Sequence, residues 1–403
     1  MGKIHPHDLR FVQALILFFL SPARLCAVWG FVVLGGDFMA GNTNLVAAKA
    51  AKNDEFYTQW NDIENEMQAY LEYNPDVFRG KTVLLPCDDP EWSNFTKFFA
   101  LNFDSLGLKK LISTSYAPRS NPAIDERGRI YVLERGEDAN EEYLKWDYLE
   151  GDGDFRSGEV TKLRDEADIV VTNPPFSLFR GFLAWLIEGD VKFSIIGSKN
   201  SITYKEVFPM FRDDKLWLGN GFAKGNAYFR IPPELARDFA AGVYDEDAST
   251  VHFRNINWFT NIEHGRRHEP LLLMTMEDNL IYGSKRVRQT AYPHYDNYDA
   301  IEVPETKGVP SDYAGVMGVP ISFLDKHSPE QFEIIGMAKR GAGDPALKTR
   351  VYTAEDYSNY SDLNAGPVII ENGTPRNTYP RILIRHRNPE REESQSLSRS
   401  RSG

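Results

Sequence analysis

Asn173-Pro174-Pro175-Phe176 is a stretch whose residue types and order suit a definite chemistry. The asparagine side-chain oxygen and the Pro174 carbonyl can each accept one hydrogen of an exocyclic amino group. The Phe176 ring, read as exposed on this loop, can stack on the face of a planar base. With both hydrogens held, the nitrogen lone pair is left to point at an electrophile. Two fixed acceptors favour that nitrogen as it pyramidalises and gains positive charge, so no strong general base is required. Asn-Pro is also a common turn, and the setting decides between the two readings.

The setting favours chemistry. Asp168-Ile-Val-Val-Thr172 is a short β-branched run that predicts a buried strand of a parallel sheet. The prolines stop it, and the apolar spacing of Ser177–Glu188 predicts a helix. In an open α/β sheet, loops at the carboxyl ends of strands hold ligands. Upstream, Lys81–Pro86 predicts a strand, Trp92–Phe103 a helix and Leu108–Thr114 a second strand, which make a βαβ unit. No G-x-G-x-x-G follows the first strand. Cys87-Asp88-Asp89-Pro90 stands there instead. Its two carboxylates offer acceptors to a ligand rich in hydroxyl or amino groups, or form an acidic surface turn. Gly151-Asp152-Gly153-Asp154-Phe155 is a second acidic loop that does not meet the calcium-loop pattern. It is read as an acceptor for an adenine amino group with Phe155 alongside. Asn53–Tyr73 predicts an amphipathic helix carrying Ile63, Met67, Tyr70 and Leu71 on one side. Lys192–Gly197 predicts a strand, Tyr204–Phe211 a short helix, and Lys215–Gly219 and Ala227–Ile231 late strands.

With 403 residues, 42% hydrophobic and 26% charged, the chain has room for two domains and a substantial core. A formal net charge of −12 excludes a generally basic coat but not a local basic face. Two cysteines, Cys26 and Cys87, show no pairing pattern, which suits a reducing cytoplasm. No metal is expected: a cysteine zinc site is out of reach, and His264-Gly-Arg-Arg-His268 lacks the glutamate of a zinc-protease motif. Residues 1–38 have the layout of a signal peptide, with Lys3 and Arg10 ahead of the apolar run Phe11–Leu20. The preferred reading is that translation starts at Met39 and that 1–38 is not part of the mature protein. Beyond about residue 235, basic and aromatic residues interleave. The clusters are His264–His268, Lys285-Arg286-Val287-Arg288 with Tyr282, Tyr292, Tyr295 and Tyr298, and Lys339-Arg340. Such clusters can neutralise phosphates and stack on bases, or simply form a solvated face. Lys285, Arg286 and Arg288 are the candidates for contacting a DNA backbone. Residues 391–403 are low in complexity and expected to be disordered.

From Lys52 to about Gly343 the sequence resembles the EcoRI-type DNA adenine-N6 methyltransferases. The resemblance is carried by Asn53–Gln59, Cys87-Asp88-Asp89-Pro90 with Ser93-Asn94-Phe95, Leu106–Leu111, Asn173–Ser177, Asp296–Val303 and Asp312–Ile321. It implies S-adenosylmethionine as methyl donor and a flipped-out adenine in double-stranded DNA as acceptor. It implies that Asn173, Pro174, Pro175 and Phe176 hold the adenine. Phe56, Tyr57, Thr58, Pro86, Cys87, Asp88, Asp89, Asp154 and Phe155 are then the donor-binding residues. The implied fold is α/β, a Rossmann-like methyltransferase sheet over 39–235 followed by a target-recognition region over 236–390. GAATTC with its inner adenine methylated is the leading target. A restriction-modification enzyme whose endonuclease would share that site without forming a stable complex, or else an orphan or phage modification enzyme, together with a monomeric state, a cytoplasmic location and no membrane partner, completes the expectation. A methyltransferase of RNA or of a protein glutamine amide would keep the Asn-Pro-Pro loop, but it would not need the aromatic-basic C-terminal region. A DNA-binding relative without turnover is the other rival, and the intact loop speaks against it.

Overall fold

The computed structural model describes residues 57–117, 127–136, 145–222, 226–230, 244–245, 250–341, 343 and 345–390. The expectations for residues 1–38, for Asn53–Phe56 and for the tail 391–403 lie outside the described residues. In chain order, β1 (Tyr57–Thr58), α1 (Trp60–Tyr73), β2 (Thr82–Leu85), α2 (Asn94–Leu101), β3 (Lys110–Thr114), β4 (Arg129–Glu134) and β5 (Asp147–Tyr148) come first. They are followed by α3 (Gly158–Glu166), β6 (Ile169–Thr172), α4 (Phe179–Glu188), β7 (Lys192–Ser198) and β8 (Trp217–Leu218). Next are β9 (Asn226–Arg230), β10 (Tyr244–Asp245), β11 (Thr250–Arg254) and β12 (Ile256–Thr260). The C-terminal part carries α5 (Lys285–Thr290), β13 (Ile301–Glu302), β14 (Met317–Pro320), β15 (Phe332–Ala338), β16 (Val368–Glu371), β17 (Thr374–Asn377) and β18 (Arg381–His386).

The central sheet has the order β5-β4-β3-β2-β6-β7-β12-β8. Its middle strands β3, β2, β6 and β7 are parallel, whereas β4, β5, β12 and β8 pair antiparallel at the two sides. It is therefore a mixed sheet around a parallel centre. Every residue of β2 and β6 is buried, as expected of strands covered on both faces. The period of two sorts them. Val83, Leu85, Ile169 and Val171 pack with α1 and α2, while Leu84 and Val170 pack with α3 and α4. The chain leaves β2 toward β3 on one side and later returns as β6 on the other. The crevice at the carboxyl ends of β2 and β6 is thus a topological switch point.

Several boundaries differ from the sequence expectation. The first helix starts at Trp60 because Tyr57 and Thr58 pair with Arg230 and Phe229 as a strand. The expected Trp92–Phe103 helix is Asn94–Leu101: the Ser93 hydroxyl caps it by accepting from the Phe95 amide. The strands after residue 235 do not all belong to the C-terminal sheet. β12 pairs with β7 in the central sheet, and β11 joins β9 and β1 in a separate four-stranded sheet. The C-terminal sheet, β13-β14-β18-β15, is tied to the segment that follows β7. There Lys199 Nζ lies 2.7 Å from Asp325, and Lys339 Nζ donates to Thr203 Oγ1 at 2.7 Å. Among the described residues no helix is long and apolar enough to cross a membrane.

Candidate active site

The segments after β2 and β6 share one cleft of about 180 Å³, lined among others by Pro86, Cys87, Asp88, Asp89, Asn173 and Pro175. Parallel pairing of Leu84 with Val170 brings the two loops side by side. Gly153, Asp154 and Phe155 form another wall, and Thr58 closes it from the antiparallel sheet. Most of the expected site residues therefore converge. Pro174 is buried and is not among the lining residues. Phe56 lies outside the described residues, and of Tyr57 only the backbone is described.

Asp88 is the most constrained member. Its carboxylate accepts the Ser93 hydroxyl at 2.7 Å and the Thr172 hydroxyl at 2.6 Å, while its carbonyl accepts Ser113 Oγ at 2.6 Å. Burial pushes its pKa up to about 7, against the two hydroxyl donors that pull it down. Asp88 therefore joins the start of α2 to Thr172, the residue before Asn173. Asp89 accepts the Glu91 amide at 2.9 Å and lies 3.2 Å from the Arg129 guanidinium. Asp154 sits at the rim. The hydrogen-bonded Arg156 guanidinium, 2.5 Å away, holds its carboxyl below the ordinary range.

Of the two aromatic rings singled out, one is placed differently from the expectation. Phe155 packs edge-on against Phe182 and Trp185, with centroids 5.0 and 5.6 Å away, and lines the cleft beside Asp154. Phe176 opens a 3-10 turn and is only 5% exposed, 6.3 Å from Phe229 and 6.4 Å from Phe253. The exposed phenyl ring expected from the sequence is thus covered by the antiparallel sheet. The physical reason is apolar burial, since β9 and β11 turn a phenylalanine each toward it.

Ser115 and Tyr116 also line the cleft and were not singled out from the sequence. They follow β3, whose carboxyl end is next to that of β2. The rule that pointed to the loops after β2 and β6 applies equally there. Gly153, at φ 79°, fits because a Cβ would come within 2.1 Å of the Ser115 carbonyl. Thr58 Oγ1 is buried with no hydrogen-bond partner among the described residues, and its residue lines the cleft. A hydroxyl in that state suits a polar ligand.

The C-terminal clusters divide. Lys285, Arg286 and Arg288 are exposed on α5, which Ser284 caps by accepting from the Val287 amide. Tyr292, Tyr295 and Tyr298 are core residues, 7%, 3% and 1% exposed, and so are not open to stack on bases. Tyr292 donates to the Gly308 carbonyl and Tyr295 to Glu302, which also pairs with Arg381 at 2.6 Å. Arg267 is likewise used internally, 2.5 Å from Asp214 and stacked 3.8 Å over Trp217. His264 is buried and held down to about 4 by desolvation.

Comparison with known proteins adds identity to this geometry. The model of a family described as adenine-specific methyltransferase EcoRI matches residues 44–387. The Type II methyltransferase M.EcoRI of Escherichia coli is 45% identical over 310 residues, covering 74% of this chain and 90% of that protein. The Type II methyltransferase M.MpnI of Mycoplasma pneumoniae is 34% identical over 344 residues, 84% of this chain and 97% of that protein. M.MgeORF184P of Mycoplasma genitalium is 34% identical over 345 residues, again 84% and 97%. No solved structure matches significantly.

Proposed function

Since the chain belongs to the adenine-specific methyltransferase EcoRI family and is a DNA methyltransferase of the restriction-modification type, we propose that it moves a methyl group from S-adenosylmethionine to N6 of an adenine extruded from duplex DNA. The observation that carries the reading is the shared cleft, where the Asp88 loop and the Asn173 loop meet at a switch point of the sheet.

The lining fits such a donor. Asp154 and Asp89 offer acceptors at its edge, Phe155 an apolar floor, and Thr58 a buried hydroxyl in want of a partner. When bound, S-adenosylmethionine supplies an electrophilic methyl on a sulfonium that departs as a neutral thioether. This chain's part is positioning. Asn173 Oδ1 and the Pro174 carbonyl accept the two N6 hydrogens and hold the lone pair toward the methyl carbon. As the N–CH3 bond forms and the C–S bond breaks, N6 becomes cationic and acidic, and it then gives up one proton to solvent. Proximity and alignment supply much of the remaining acceleration. Phe176 stacks on the adenine once Phe229 and Phe253 make room. Extrusion costs a few kcal/mol, which contacts in the pocket and along the DNA offset. The region over 236–390 reads the target, with Lys285, Arg286 and Arg288 on phosphates. GAATTC is its leading target, after the 45% identical relative. The protein acts in the cytoplasm as a monomer and forms no lasting complex with an endonuclease of the same specificity.

Transfer of tritiated methyl from S-adenosylmethionine tests this directly. Label should enter a GAATTC duplex at adenine N6 and stay out of RNA and protein. Label confined to RNA or protein overturns the reading, and label in a different duplex overturns only the target.

A further inference from the structure

The sheet that covers Phe176 has a second face. Along β9 and β11, Ala227, Phe229, Val251 and Phe253 turn inward and are buried. Tyr228, Arg230, His252 and Arg254 alternate with them and turn outward. Tyr228 and His252 are register partners, and their rings stack with centroids 4.8 Å apart and planes within 13°. Tyr228 is 46% exposed. His252 Nε2 is buried and has no hydrogen-bond partner among the described residues. Desolvation, helped by Arg254, holds its imidazole below the usual range, so the ring stacks in its neutral form. Arg230 and Arg254 are exposed and have no ion-pair partner among the described residues. Arg129, Arg156, Arg267 and Arg381 are all paired. Two unpaired guanidiniums flanking an aromatic stack, in a chain of net charge −12, form a pattern complementary to a polyanion with planar bases.

The place matters as much as the charge. The inward side of the same two strands touches Phe176, and β1 of that sheet brings Thr58 to the cleft. Arg230 is register partner to Thr250, and Arg254 to Asn226. The two arginines are therefore offset by four residues, about 13 Å along the strand direction. That is the rise of about four nucleotides in one DNA strand. Asp245 lies on the edge strand, two strands from Arg230.

We propose that the outward face of β9 and β11 docks the DNA strand that carries the extruded adenine, with Arg230 and Arg254 on phosphates and the Tyr228–His252 stack against an unstacked neighbouring base. The inference rests on the DNA-methyltransferase reading above and adds to it a contact surface separate from α5.

Full-length protein and a fluorescent GAATTC duplex test it by anisotropy over a salt series. Arg230→Ala and Arg254→Ala should each lower the slope of log affinity against log salt by about one, and the double variant by about two. Arg230→Lys should restore its share. Tyr228→Ala should leave the slope alone but reduce the fluorescence of 2-aminopurine placed at the target position, which reports extrusion. Calorimetric binding of S-adenosylmethionine and thermal melting should not change in the arginine variants. A wild-type slope in the folded double variant overturns the docking face. So does a loss of slope confined to Arg286→Ala and Arg288→Ala. Wild-type protein that labels no DNA would remove the reading and this inference together; labelled DNA with an unchanged double-variant slope removes the inference alone.

Discussion

Two acidic loops border the same cleft and use their carboxylates in opposite ways. Asp88 is buried, takes hydroxyl donors from Ser93 and Thr172, and is pushed up to about 7 by desolvation. Asp154 lies at the rim with Arg156, which holds its carboxyl down. A buried carboxylate among neutral donors organises the protein around it. A rim carboxylate next to a cation stays charged and accessible to a polar ligand. Composition made the two loops look alike, and burial assigned them different work: Asp88 is a strut between α2 and the Asn173 loop, Asp154 part of the cleft wall.

Both loops have meaning only if they serve one reaction at Asn173, so that residue gives the largest expected effect. Asn173→Ala removes one of two acceptors and should cut turnover by about two to three orders of magnitude. S-adenosylmethionine affinity measured by calorimetry should stay near that of the wild type. Near-normal turnover would leave the comparison without an object.

The strut comes next. Asp88→Ala leaves two buried hydroxyls without their acceptor, at a cost of about 1–3 kcal/mol in folding stability. Melting temperature and turnover should fall together. Thr172→Val should reproduce the loss of turnover and Thr172→Ser should restore it, which a simple packing role would not do. The pH dependence sharpens the point. Folding keeps on Asp88 a proton that the unfolded chain gives up above the ordinary value of 3.8, until the pH passes about 7. This carboxyl therefore makes the fold less stable as pH rises through that window. Glu66, buried beside Tyr70 and also raised to about 7, acts in the same direction. Asp88→Asn should make the decline of melting temperature across the window shallower without abolishing it. An unchanged decline would show that Asp88 is already ionised in the fold.

Asp154→Ala should have the smallest effect on the fold, within about 1 kcal/mol, because its partner Arg156 is exposed and water screens the half-buried pair. Its signature is a weaker S-adenosylmethionine affinity at nearly constant turnover under saturating donor. Unchanged affinity there, with weakened affinity in Asp88→Asn, would exchange the two roles.

What the sequence showed clearly was local and periodic. The run Asp168–Thr172 had to be a strand because β-branched apolar residues favour one, and Pro174 had to end it because it lacks an amide hydrogen. The βαβ pattern around Cys87–Pro90 then put both candidate loops at strand ends, and the family resemblance named the ligands. Sequence periodicity is blind to what lies across space. Phe176 read as exposed because nothing near it in the chain covers it; Phe229 and Phe253, more than fifty residues on, do so. Tyr292, Tyr295 and Tyr298 read as a stacking surface, yet the core takes them, since a tyrosine loses little by burial when its hydroxyl finds an acceptor such as the Gly308 carbonyl or Glu302. The carboxylate of Asp88 looked like that of Asp154 until the fold set one in a dry junction and the other at the rim. The sequence by itself determined which chemistry the chain can hold. Which side chains are free to perform it was decided by tertiary packing, because solvent exposure and hydrogen-bond partners come from segments distant in the chain.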